Sequence, residues 1–193
     1  ELGIDMMSVS GQKLGAPRGI GFLYVNKDVK ISPQIHGSQQ DGRRGGTYPT
    51  HLIAAFGKAL EIIRDNKFTR YESVWIKRNY LLNELLKIEG VHLNGPSEQG
   101  NRLPNNISIR IDGVDAEKLV VMCDMMGVII ARSSACKSYS PEPSKVLLAI
   151  GLTKEEALST VRITIDDTTT IEDINQAVKI INHLIERTRK ENA

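Results

Sequence analysis

Three short stretches of the chain hold residue types that can do covalent or charge-directed chemistry. In the first, Ser8-Val9-Ser10-Gly11-Gln12-Lys13-Leu14-Gly15, a lysine follows directly on a strand-like run and sits among small residues. Most lysines are solvated surface charges. One held at a desolvated strand end has a lowered pKa, keeps a neutral amine and can form a Schiff base with a carbonyl. The hydroxyl of Ser10 and the amide of Gln12 beside it can hold a phosphate. In the second, the polar loop Ser133–Ser144 carries Cys136 next to Lys137. A thiol there can be partly ionised and can travel, and the plainer alternative is an idle exposed cysteine. Cys123, between Met122 and Met125 on an apolar helix face, reads instead as core. In the third, Val161-Arg162-Ile163-Thr164-Ile165 alternates so that Arg162 and Thr164 share the face away from the apolar residues. An arginine so placed can clamp a carboxylate through two parallel N–H bonds. It can also be merely solvated, which is the reading for Arg110 in the similar run Ile107–Ile111.

The elements that position these residues follow from periodicity. Residues 4–10 and 19–25 read as buried strands around a turn with Gly15, Pro17 and Gly19. Residues 36–47 hold glycines and two adjacent arginines, as a loop with a task or a disordered one. From Thr50 the pattern is helical, with Leu52, Ile53, Phe56, Leu60 and Ile63 on one face, then Val74, Leu81, Leu82 and Leu85 on another, so two helices parted near Asp65–Thr69 are predicted. After Gly90 and the polar segment 94–106, strands at 107–111, 128–131 and 161–165 alternate with helices over Asp115–Met126 and 171–188. Thr153 with Glu156, and Thr170 with Asp173, have capping-box spacing. The expected fold class is α/β, with residues 1–89 ending a larger domain and residues 90–193 forming a small α/β domain.

The 193 residues carry 25 basic and 23 acidic side chains for a formal charge of +2, spread along the chain. That balance points to neither a nucleic-acid nor a membrane partner. No apolar run is long enough to span a bilayer, and no leader pattern opens the chain, so the expected compartment is the cytoplasm. Two cysteines are too few for a disulfide framework and suit a reducing compartment. The start at Glu1, running at once into Leu2 and Ile4, is that expected of a chain joined in mid-fold.

The order SVSGQKLGAPRGIGFLYV, IHG with RRGGT, RLPNNISIRIDGVDAEKL, SSACKSYSPEPSKVLLAIGL and VRITI before TTIEDI resembles the cysteine desulfurases, which are fold-type-I pyridoxal-phosphate (PLP) enzymes. The resemblance runs from residue 2 to about residue 180, matches the carboxy-terminal half of such enzymes, and favours the group with the longer, mobile cysteine loop. It implies the end of the large PLP-binding domain followed by a complete small domain. It also implies PLP on Lys13, with Ser10 and Gln12 at its phosphate, and Thr47 reaching the phosphate of a neighbouring subunit's cofactor. Arg162 becomes the arginine for the substrate carboxylate and Cys136 the catalytic cysteine that takes sulfur from L-cysteine as a persulfide. No metal is implied. The partners implied are L-cysteine, the amino-terminal half in cis or in trans, a second copy in a homodimer, and a sulfur-acceptor protein for iron–sulfur assembly or thio-modification.

Three features depart from the family pattern. Gln12 stands where histidine usually precedes the lysine, Asp166-Asp167 stands where Gly-Arg usually follows the arginine strand, and the half that carries the ring-stacking and nitrogen-pairing groups is not in this sequence. Gln12 and the aspartates favour an alternative, a non-catalytic desulfurase-like module for dimerisation or scaffold binding. A different sulfur or selenium lyase on the same fold is a third reading.

Overall fold

The computed structural model describes residues 3–132 and 142–191. It forms two compact units, Glu1–Lys67 and Phe68–Ala193, each built on its own apolar cluster. The division falls inside a helix, earlier than the composition shift near residue 90. It coincides with the polar stretch around Asp65–Thr69, where the apolar stripe of the sequence lapses.

In the first unit, strands β1 (Met6–Ser10) and β2 (Gly21–Val25) pair antiparallel, with Met6 opposite Val25 and Ser10 opposite Gly21. A single 3-10 turn, Gly11–Leu14, closes the end of β1. The ribbon packs through Val9, Leu14 and Ile20 onto Phe56 and Ala59 of helix α1 (Thr50–Leu86), and the rings of Phe22 and Phe56 stack at 5.7 Å. Both strands were expected to be buried. Met6, Met7, Phe22, Leu23 and Tyr24 are instead exposed, because among the described residues the sheet has two strands and the helix covers only part of it. A bare apolar strand face of this kind favours association.

The second unit is an antiparallel sheet in the order β3-β4-β5: β3 (Val91–Leu93), β4 (Asn106–Ile111) and β5 (Thr160–Thr164). On its inner face, Ile107 pairs with Ile163 and Ile109 with Val161, all essentially closed to solvent. Fully burying a side chain of this size contributes about 1.5–3 kcal/mol. Against that face pack Leu81, Leu82 and Leu85 of α1, Leu119 and Cys123 of α2 (Ala116–Met125), and Ile174, Ile181 and Ile185 of α5 (Ile171–Glu191). Arg78 of α1 is also fully buried; it lies 5.0 Å above the Trp75 ring and donates to the Asn106 carbonyl. Two short helices, α3 (Lys145–Ala149) and α4 (Lys154–Leu158), precede β5.

The helix ends behave as their sequences demand. The Asp115 carboxylate accepts from the backbone N–H groups of Glu117 and Lys118, and Thr153 with Glu156 forms a full capping box. Thr170 and Asp173 answer each other in the same way at the start of α5.

Two further expectations need correction. Residues 50–86 form one helix, not two: the stretch Asp65–Thr69 interrupts the apolar stripe but contains no glycine or proline to break the backbone. Residues 128–131 form no strand; only Ala131 makes a bridge, to Arg162, so the apolar run lies beside the sheet without joining its ladder. Among the described residues, no helix is long and apolar enough to cross a membrane.

Candidate active site

Ser10, Gln12 and Lys13 come together on the turn that ends β1. Gly11 donates to the Ile20 carbonyl at 2.9 Å and accepts from the Ala16 N–H at 3.0 Å, which draws the turn against the start of β2. A Cβ on Gly11 would meet that carbonyl oxygen at 2.9 Å and the Ala16 methyl at 3.2 Å, so the close approach requires glycine. Gly15 closes the turn at φ 82°, in the left-handed region open to glycine.

The turn leaves its chemistry unspent. Ser10 occupies the N-cap position, yet its hydroxyl makes no bond to the turn, unlike Asp115 and Thr153 at their helices. Lys13 is exposed and has no acidic partner among the described residues. The desolvated seat expected for it is not formed by residues of this unit. A free hydroxyl and a free amine on one tight turn fit a phosphorylated carbonyl compound such as PLP, the first as a donor to phosphate and the second as the nucleophile for the carbonyl.

Thr47 belongs to the same unit but to a different loop. That loop is ordered by its own hydrogen bonds: Gly45 donates to the Ile35 carbonyl at 2.7 Å, Gln40 N–H to the Tyr48 hydroxyl at 2.7 Å, and Gly46 N–H to the Gln39 side chain at 3.1 Å. Gln40 and Asp41 adopt φ 53° and 57°, which gives the loop its tight reversal. Thr47 is exposed where the chain leaves toward α1. A cleft of about 1260 Å³ lies between the ribbon and this loop, lined by Phe22, Ile35, Arg43, Arg44 and Tyr48 among others; none of Ser10, Gln12, Lys13 and Thr47 lines it.

Arg162 lies in the second unit, at the centre of β5. Its N–H and C=O pair with Ala131 at 2.6 and 3.0 Å, and Ser108 stands opposite it on β4. The predicted alternation holds: Val161 and Ile163 face the core, and Arg162 turns to the other face. Its Nε is buried and has no hydrogen-bond partner among the described residues. A guanidinium left unpaired on a sheet face is suited to receive a carboxylate from outside the chain. Arg110 differs from the solvated arginine expected, because it pairs with Glu156 of α4 at 3.3 Å.

The aspartates after β5 are absorbed by the structure. Asp166 accepts from the hydroxyl and the N–H of Thr168, and these bonds hold its carboxyl below the usual range. Asp167 is gripped by Arg70 at 2.7 Å, and its carbonyl accepts from Lys77 at 2.9 Å. Sequence reasoning found neither partner, since each lies about ninety residues away.

Of the two thiols, Cys123 is closed to solvent, and burial pushes it up to about 11. It is an inert core thiol at neutral pH. Cys136 and the rest of residues 133–141 lie outside the described residues. Sequence reasoning also missed β3, and with it Asn94, which reads as part of a polar linker. The alternation of Val91 and Leu93 leading into Asn94 is the signal that could have extended a strand to it.

An α/β chain with a lysine-bearing turn in one unit and an unpaired sheet arginine in the other belongs to the class-V aminotransferase family, whose model matches residues 1–177. Among curated proteins it is 40% identical over 191 residues to a cysteine desulfurase IscS of Dictyoglomus turgidum, covering 98% of this chain and 48% of that protein. Among solved structures it superposes on a NifS-like protein with a TM-score of 0.84 at 26% identity, covering 97% of this chain and 48% of the other. It also superposes on SspA in complex with cysteine, with a TM-score of 0.62 at 31% identity over 86% of this chain and 45% of the other. The chain thus spans about half the length of the relatives it matches.

Proposed function

We propose that the chain is the carboxy-terminal half of a cytoplasmic, PLP-dependent cysteine desulfurase that works as a homodimer with its amino-terminal half supplied in cis or in trans. The reading is carried by the Gly11–Leu14 turn, which presents an unpaired lysine amine beside an unspent serine hydroxyl. Similarity to curated desulfurases and to a structure holding cysteine supports L-cysteine as the substrate.

In this reading Lys13 holds the cofactor, with Ser10 and Gln12 at its phosphate and Thr47 serving the cofactor of the neighbouring subunit. When bound, PLP supplies the electron sink that makes the substrate α-proton acidic and loosens the bond between carbon and sulfur. Arg162 binds the substrate carboxylate and so orients the α-carbon. The freed Lys13 amine takes the α-proton and returns a proton to carbon. The Cys136 thiolate attacks the substrate sulfur; the S–S bond forms as the C–S bond breaks, the electron pair stays with carbon, and alanine leaves. A thiol with a reference pKa of about 8.5 needs help to ionise at neutral pH, and Lys137, next to it in sequence, or the substrate itself supplies it. The persulfide then passes to an acceptor protein for iron–sulfur assembly or thio-modification.

The alternative of a non-catalytic module rested on Gln12 and on the two aspartates. Asp167 is paired with Arg70, which offsets its charge, while Asp166 stays ionised on the Thr168 hydroxyl and N–H, so Gln12 and Asp166 are the features that still favour that alternative.

The test is alanine release from L-cysteine by the complete enzyme. Cys136→Ala should abolish persulfide formation while cysteine still binds, and Cys123→Ala should retain activity. A dead Cys123 variant beside a working Cys136 variant would remove Cys136 from the mechanism.

A further inference from the structure

Two buried atoms on the outer face of the second unit's sheet have no hydrogen-bond partner among the described residues and are chemical complements: Oδ1 of Asn94 and Nε of Arg162. Asn94 is 2% exposed and directly continues β3, its N–H donating to the Ser108 carbonyl at 2.8 Å. Ser108 in turn stands opposite Arg162 on β5. Asn94, Ser108 and Arg162 therefore form one row across the three strands. Their side chains share the face opposite Ile107 and Ile109. With strands about 4.8 Å apart, the backbones of Asn94 and Arg162 are about 10 Å apart, a span that their two side chains and one small molecule can fill above the small Ser108 side chain between them.

The orientation of the Asn94 amide follows from proton counting. The single proton of the Thr160 hydroxyl is given to the Glu156 carbonyl at 2.7 Å. Toward Asn94, 3.2 Å away, Thr160 can then only accept, so the nitrogen of the amide must face it. The same nitrogen reaches the Ser108 hydroxyl at 3.3 Å. Both hydrogens of the amide are thereby used, and its oxygen is left without a donor. A buried polar atom with no partner is destabilising, and here a lone acceptor and a lone donor share one row.

We propose that one buried water joins Asn94 Oδ1 to the Arg162 Nε–H, which makes Asn94 a positioning residue for Arg162. The site offers the polar partners that such a water requires. Held at Nε, the guanidinium presents its two terminal nitrogens, the pair that meets a carboxylate end-on. The role in the reaction rests on the reading of Arg162 as the carboxylate arginine.

The two parts are tested separately. In the 193-residue chain labelled with nitrogen-15 at arginine Nε, the Arg162 signal is identified as the one lost in Arg162→Lys. It should exchange slowly in the native chain and at least about tenfold faster in Asn94→Leu, while Asn94→Asp, which keeps an acceptor, should preserve it. Thr160→Val keeps Asn94 but frees its amide to turn, and should speed the same exchange if Asn94→Leu fails to fold. Unchanged exchange in the folded Leu or Val variant overturns the proposal. In the complete enzyme, Asn94→Leu should raise KM for L-cysteine roughly tenfold with kcat nearly unchanged. If Arg162→Lys leaves KM unchanged, the carboxylate reading fails while the exchange result still decides the water bridge. If Arg162→Lys raises KM and Asn94→Leu does not, Asn94 has no positioning role.

Discussion

Arg70 holds Asp167 by both carboxylate oxygens, with Nη2 2.8 Å from Oδ1 and Nε 2.7 Å from Oδ2. Lys77 adds a bond to the Asp167 carbonyl, so the turn between β5 and α5 is fastened to the second half of α1. The side chains are 41% and 34% exposed, so solvent screens the pair. Asp167→Asn and Arg70→Gln should each cost about 0.5–1 kcal/mol, and the double variant should cost little more than either. Urea denaturation of the four proteins measures the coupling, which should shrink in high salt. Fully additive losses would mean that the fork stabilises nothing.

Stability at acid pH should depend on the same turn. Asp166 is held below the usual carboxylate range, first by the Thr168 hydroxyl and then by backbone N–H groups, and Asp173 is held down by the Thr170 hydroxyl and N–H. A depressed folded-state pKa gives stability that is complete above the unfolded value of about 3.9 and is lost as pH falls through the folded one. Melting temperature should therefore drop steeply below about pH 4, and Asp166→Asn should flatten that limb while lowering stability at neutral pH. Wild type and variant with parallel acid limbs would remove Asp166 from the account.

Cys123 should behave as core and not as a reagent. Its thiol is pushed up to about 11 by burial, so iodoacetamide at pH 8 should leave it unlabelled in the native protein and label it in urea. Cys123→Ser puts a polar hydroxyl into a closed apolar cluster and should cost about 1–3 kcal/mol. Rapid native labelling at Cys123, read by peptide mapping, would mean that this face of α2 opens.

These results mark how far the sequence could be read. Period-two alternation placed β4 and β5 within a residue and put Arg162 on the outer face, because one face of each strand is core and the register cannot slip without exposing it. The caps at Thr153 and Thr170 were legible because they are local. What stayed hidden was non-local: the partner of Asp167, the pairing of Arg110 with Glu156, and the Asn94 row are fixed by packing between distant segments. The apolar run at 128–131 has the composition of a strand, yet only Ala131 bonds to one, which periodicity cannot foresee. The exposure of Lys13 was likewise invisible, since its surroundings depend on what covers the ribbon.

The assignment of Lys13 as the cofactor lysine is tested most directly by borohydride reduction of the complete, PLP-loaded enzyme followed by peptide mapping. The pyridoxyl group should be found on Lys13, in the peptide that contains Ser10 and Gln12. Recovery of the label on Lys27 or Lys30, with Lys13 unmodified, would contradict the account.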